Sequence, residues 1–263
     1  MRTIKLHHSF SFNQILDELN YFKNEVTLHP NYIFRGQTND AWTLKPSFTR
    51  IAIQRNLNRK EALQLERECV NKFVLSAKNL LLPQQTLPIT FGINFELLPW
   101  LVWMQHYSAP TRKLDWSTSS LVALYFSCCN DIDFDGSVWI ADFHMVTANA
   151  LNTLNIDEFV KGLEDPNSQD VITITSAGIV NERLEAQQGK FTVCTNPLVD
   201  HQKILSDIGA LTKIIVPKEI KIRTMNKLFQ MNINYRTLFP GIDGLGKSIY
   251  EYCQLWDKSS IIT

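Results

Sequence analysis

The chain has 263 residues, 44% of them hydrophobic and 20% charged, with 26 basic residues against 26 acidic. That is material for one large globular domain or two small ones. The cancelled charge removes the basic excess that marks a dedicated nucleic-acid binder, although a nucleic acid remains open as a transient substrate.

The five cysteines (Cys69, Cys128, Cys129, Cys194 and Cys253) form no Cys-x-x-Cys pair. Their odd number and spacing argue against a disulfide framework or a structural zinc site, and for a reducing cytoplasm. Nor does any His, Cys, Asp and Glu cluster have metal-ligand spacing, so no metal is expected. The N-terminus lacks the apolar core of a signal peptide. The longest apolar stretches, such as residues 97–104, fall well short of the roughly 20 residues of a membrane span, so no membrane partner is expected.

In chain order, apolar residues at helical spacing predict a helix over residues 11–25, capped by Ser11 or Asn13. Residues 31–34 form a short β run ending in Arg-Gly. Residues 42–48 read as extended, turning at Pro46. A long amphipathic helix follows over 60–82, then an apolar helix over 96–106 with Pro99 in its first turn. Residues 120–129 form a second apolar helix, capped by a hydroxyl of Ser117-Thr118-Ser119. Strands are predicted over 137–141, 171–175, 190–194 and 210–216, and helices over 220–231 and 248–255. Helices and strands interleave without a strict βαβ rhythm. The reading is a single α+β domain with a central, mostly antiparallel sheet and flanking helices.

Residues 105–126, QHYSAPTRKLDWSTSSLVALYF, hold the densest chemistry in the chain. Arg35 ends a buried strand, where a guanidinium is costly unless paired. It is either a clamp for phosphate or ribose oxygens or half of a structural ion pair, with Asp115 as the candidate partner. Gly36 lets backbone approach a ligand or another strand. His106 is either a base or hydrogen-bond donor, or a capping or core histidine; Tyr107 offers a ring for stacking. Arg112 and Asp115, three residues apart, are expected to pair and brace the loop. Residues 181–193 read NERLEAQQGKFTV, and alternation at a strand edge would aim their polar side chains to one face. Residues 241–248, GIDGLGKS, fit G-x-x-x-x-G-K-S literally. They follow Pro240 and a weak strand at 234–239, with too little chain after them for a nucleotide-binding fold, so a phosphate loop is rejected.

These motifs, in this order, resemble the FRG domain family. The resemblance rests on Tyr32 to Gln37, Trp42 to Arg50, Gln105-His106-Tyr107, Pro110-Thr111-Arg112, Leu114-Asp115-Trp116 and Ala123 to Phe126. Arg183, Gln187, Gly189 and Phe191 continue it, and Thr237 to Pro240 with Gly244-Leu245 close it. It implies an FRG domain over residues 30–250, preceded by a helical lead-in (1–29) and followed by a tail (251–263) packed on the domain. One departure is Ser108, where the family usually has glycine.

The motif order is also similar to that of ADP-ribosyltransferases: Arg35, then Ser117-Thr118-Ser119, then Glu185-Ala186-Gln187 before a strand. That resemblance implies an ADP-ribosyltransferase-like fold and NAD as the substrate. Arg35, Gly36, Gln37, His106, Tyr107, Ser117 and Thr118 would be the cofactor-binding set. Arg35, Glu185 and Gln187 would be the catalytic set. It also implies a macromolecular acceptor, nucleic acid or protein, and a setting as a bacterial toxin or phage-defence effector with an antitoxin or defence-system partner. Gln187 stands where a catalytic glutamate would fall, and an amide carries no charge. The carboxylate would then come from Glu185 or Glu182. The alternatives are a non-catalytic binding module and a nuclease or other hydrolase using His106 and Asp115.

Overall fold

The structure, a computed structural model, describes residues 1–22, 30–80, 97–175 and 182–256. The expectations for residues 23–25, 81–82, 96 and 257–263 lie outside them. In chain order the elements are β1 (Arg2–Lys5), α1 (Phe12–Asn20), β2 (Tyr32–Gln37), α2 (Ser47–Gln54), α3 (Arg59–Leu80), α4 (Leu97–His106), β3 (Leu114–Ser117) and α5 (Ser120–Cys128). There follow β4 (Gly136–Asp142), α6 (Phe143–Thr153), α7 (Ile156–Gly162), β5 (Ile172–Thr175), α8 (Glu182–Ala186) and β6 (Gly189–Cys194). The chain closes with α9 (His201–Asp207), β7 (Leu211–Val216), α10 (Lys218–Gln230), α11 (Tyr235–Leu238) and α12 (Ile242–Leu255).

One seven-stranded sheet runs β1-β7-β4-β2-β3-β6-β5. Only β1 and β7 pair in parallel; every other neighbour is antiparallel. The fold is therefore α+β with a central, mostly antiparallel sheet. The N-terminal segment is built into it: β1 forms one edge, and Ile15 and Leu19 of α1 join the core.

Strand alternation sorts the core into two faces. Phe34, Val138, Ile140, Ile214 and Val216 point toward α1, α5 and α10. Ile33, Leu114, Trp116, Trp139 and Leu211 point the other way, toward Val146 of α6 and Leu205 of α9. A third cluster seats α3 and α4 through Val70, Trp100, Leu101 and Met104 against Val171 and Val193.

Several local expectations change. Strand β2 runs through Arg35, Gly36 and Gln37 instead of ending before them. Pro46 starts a helix, α2, rather than turning an extended segment. A proline is pre-organised at a helix entry, and the apolar Phe48 and Ala52 of α2 are buried. The weak strand at 234–239 is the helix α11, begun by an Asn234–Thr237 capping box. Residues 242–255 form one helix, so most of the G-x-x-x-x-G-K-S match is helical. At α1, Ser11 rather than Asn13 is the cap, in a capping box with Gln14.

Helix α4 ends in a Schellman motif. Ala109 N donates to Met104 O (2.8 Å) and Ser108 N to Gln105 O (3.0 Å). The motif needs a left-handed residue, and Ser108 takes φ +63°. The turn keeps the form glycine would give it, at the expense of strain in Ser108. Ser108→Gly is expected to stabilise the chain by roughly 1 kcal/mol, read as a rise in the urea midpoint. An unchanged or lower midpoint would mean that Ser108 is not strained.

Candidate functional site

Strands β2 and β4 pair along all six residues of β2, but β2 meets β3 at one pair, Phe34 with Ser117. Beyond that pair the ladder is open, and the Arg35 side chain bridges it: Nη1 donates to the backbone carbonyl of Asp115 at 2.7 Å. Arg35 is half-buried, but its Nε is closed to solvent and has no hydrogen-bond partner. Burial lowers the guanidinium's pKa, Asp115 opposes that shift, and Arg50 adds to it. The expected partnership with Asp115 is thus a bond to its main chain.

Beside this gap lies a cavity of about 220 Å³. Arg35, Asp115, Ser117, Arg183 and Gln187 give it polar groups, and Phe34, Trp116, Phe126 and Phe239 give it apolar walls. Three stretches far apart in sequence meet here. Ser117 Oγ donates to Gln187 O at 2.7 Å and accepts from Ser119 N at 3.0 Å. Thr118 N donates to Gln188 O at 3.0 Å, and its hydroxyl to Gln188 Oε1 at 3.2 Å. Ser119 caps α5 through Val122 N. The Ser-Thr-Ser run therefore stitches the start of α5 to the turn before β6.

Gln187 Nε2 donates to Leu238 O at 3.0 Å, which ties the same turn to α11. The Arg183 guanidinium lies 4.6 Å over the Phe239 ring. Phe239 in turn meets Phe126 edge-on at 6.0 Å.

The remaining expected site residues fall elsewhere. Gly36 lines the cavity, but helix α5 lies directly across it. A Cβ there would stand 2.0 Å from Ala123 O and 2.6 Å from Ser127 N. Gln37 spends its amide inside the fold, donating to Thr43 O (3.1 Å) and accepting from Trp139 Nε1 (2.6 Å); it is not among the cavity-lining residues. Residues 182–186 form a short helix, not a strand edge. Alternation therefore does not operate there, and Glu185 is exposed and lines no cavity described here. Tyr107 is half-exposed and meets the His106 ring edge-on at 4.8 Å.

His106 lines a smaller hollow of about 50 Å³ together with Gln105, Asp115, Arg183, Gln187 and Phe191. Its burial, followed by the charge of Arg183, lowers its pKa below the ordinary histidine value.

The brace of the 105–116 segment is not the expected Arg112–Asp115 pair. Thr111 Oγ1 donates to Gln105 Oε1 (2.9 Å), and Gln105 Nε2 donates to the Asp115 carboxylate (2.5 Å). Arg112 turns away into the interior and pairs with Glu66, and its Nη1 donates to Thr195 O at 2.8 Å. Both side chains of the pair are almost fully buried. Sequence spacing missed Glu66 because it lies 46 residues upstream, on helix α3. Asp115 was expected in a site only in the hydrolase alternative, and Arg183 and Phe239 were not expected there. The only advance signal for the last two was that their motifs travel with the central one.

On the same strand edge sits Lys113, 1% exposed. Its Nζ lies 3.5 Å from the Phe191 ring centroid and has no hydrogen-bond partner. Burial pushes its pKa down to about 7, against the pull of Asp115. The unfolded amine, near 10.5, holds more protons than the folded one between about pH 7 and 10.5, so stability rises with pH across that window. The ring's cation–π attraction returns part of the desolvation cost. Lys113→Met is expected to stabilise the chain by about 2 kcal/mol at pH 7 and by little near pH 10.5. Urea titrations at pH 7 and pH 10 test this, and an equal effect at both values would contradict it.

Among the described residues, no group of three or more His, Cys, Asp or Glu is placed to hold a metal ion, and no helix is long and apolar enough to cross a membrane.

Fold and site together define an α+β protein with a ligand-sized cavity at the join of β2, β3 and the turn before β6. Residues 30–136 match the family model of the FRG domain. The match contains Arg35, Gly36, Asp115 and Ser117 and stops before Arg183 and Gln187, short of the 30–250 span expected from the motifs. No curated protein and no solved structure matches the chain.

Proposed function

We propose that the chain is an ADP-ribosyltransferase-like enzyme that draws the nicotinamide end of NAD into the 220 Å³ cavity and transfers the ADP-ribose to a macromolecule. One observation carries the reading: Arg35, Ser117 and Gln187, spaced along the chain in the transferase order, line that single cavity. Arg183 and Arg35 supply positive charge for a pyrophosphate. Phe126 and the edge of Phe239 supply apolar surface for a nicotinamide ring. Departure of nicotinamide leaves an oxocarbenium-like sugar that needs a nearby carboxylate. Asp115 is the carboxylate in the cavity wall, held by Gln105, and it takes the role that the sequence order gave to Glu185. Ser117 and Thr118 keep the two sides of the cavity in register.

The acceptor is a nucleic acid or a protein. Consumption of NAD by such an enzyme suits a toxin or phage-defence effector restrained by a partner protein. The test is nicotinamide release and label transfer from NAD in cell lysate. Asp115→Asn is expected to lower turnover about 100-fold while NAD binding persists. Equal turnover by Asp115→Asn would remove Asp115 from the chemistry. A second reading, a module that binds NAD or a nucleotide without turnover, is favoured by the commitment of the Gln187 amide to Leu238 O and by the outward position of Glu185. Saturable binding with no nicotinamide release would decide for it.

A further inference from the structure

The cavity has a neighbour. The 50 Å³ hollow and the 220 Å³ cavity share three lining residues, Asp115, Arg183 and Gln187, and so adjoin. The hollow adds Gln105 and His106. A water molecule's share of liquid volume is about 30 Å³. The hollow therefore has room for a hydroxyl group.

We propose that the hollow is the acceptor subsite, that it admits a small hydroxyl nucleophile, and that His106 takes that hydroxyl's proton. The proposal rests on the NAD reading of the larger cavity. In the step, the acceptor oxygen bonds to the anomeric carbon of the nicotinamide ribose. The carbon–nitrogen glycosidic bond breaks, and its electron pair leaves with neutral nicotinamide. The hydroxyl proton passes to the imidazole and from there to solvent. No oxidant or further reactant is needed.

The surroundings suit the role. Burial and the charge of Arg183 lower the imidazole's pKa, which favours the neutral form that takes up a proton. Asp115, in the same hollow, stands near the imidazolium that forms. Gln105 links the two functions: it follows Met104 on the helix that carries His106, and it fixes the Asp115 carboxylate at 2.5 Å. The Gln-His step of the central motif thus serves both the hollow and the cavity.

The experiment uses the full chain with NAD and two alcohols, methanol and tert-butanol, as nucleophile probes. Capture of methanol as methyl ADP-ribose is expected, and tert-butanol is expected to give none. His106→Gln should bind NAD within about twofold of the parent and melt at the same temperature, but lose about 100-fold or more in nicotinamide release. Added imidazole should restore part of the activity of His106→Ala, which a purely structural role would not allow. Undiminished turnover by His106→Gln, or tert-butanol captured as well as methanol, overturns the proposal and leaves the NAD reading standing. Absence of NAD binding by the parent chain overturns the NAD reading itself, and this proposal with it.

Discussion

Glu66→Ala is expected to cost the fold about 3–5 kcal/mol, a large part of the roughly 5–15 kcal/mol that holds a domain together. Arg112 is 1% exposed and Glu66 is 2% exposed. The guanidinium gives its Nε to both carboxylate oxygens, at 2.9 and 2.8 Å, and its Nη2 to one of them. Its Nη1 holds Thr195 O at 2.8 Å and Cys194 O at 3.3 Å, past the end of β6. Removal of the carboxylate leaves a cation in the interior with only neutral partners. Replacement of both residues by methionine removes both charges and fills most of the space. The double variant is therefore expected within about 2 kcal/mol of the parent, in either direction. Urea midpoints of the two variants provide the comparison. A single variant that loses less than about 1 kcal/mol would show that water reaches Arg112.

Gly36→Ala is expected to be about as damaging. Its Cβ would lie 2.0 Å from Ala123 O, 2.6 Å from Ser127 N and 2.7 Å from Phe126 C. All three are main-chain atoms of α5, so no side-chain rotation relieves the overlap. The helix must lift from β2, which pulls Val122 and Ala123 out of the core and opens the cavity they help to line. Ordinary overpacking costs about 1–3 kcal/mol. A clash confined to backbone should exceed that range and reach roughly 3–5 kcal/mol. A thermal melt and the soluble yield read the effect. A variant that melts with the parent would mean that α5 does not press on this strand. The glycine of Phe-Arg-Gly thus lets a helix approach, whereas the sequence suggested close approach to a ligand or another strand.

What the sequence disclosed was local and periodic. The 3.6-residue rhythm of the long helix before residue 80, the apolar run of α5 and the strands β4, β6 and β7 all announce themselves within their own residues. The short strands β1 and β3 do not. Each has four residues, and β3 carries Asp115 among its apolar neighbours, so only pairing with β2 and β6 makes it a strand. Helix α8 was misread because its charged residues at two-residue spacing imitate a strand edge.

The site was legible as a set of stretches but not as contacts. Arg35, Ser117 and Gln187 do come together. Which carboxylate faces them depends on α8, a short helix that leaves Glu185 exposed. The true partner of Arg112 was hidden for a simpler reason. Two charges three residues apart invite a local pairing, while the buried solution required a helix 46 residues away.

The central claim is that the cavity beside Arg35 takes NAD. Equilibrium dialysis of labelled NAD against the full chain and its Arg183→Gln variant tests it most directly. Arg183 is partly exposed and stacks on Phe239, so its loss leaves the core intact. The account predicts one saturable site in the parent, weakened at least about tenfold in the variant, as expected for loss of a charge-assisted contact to phosphate. No saturable binding, or equal binding by both proteins, would contradict it.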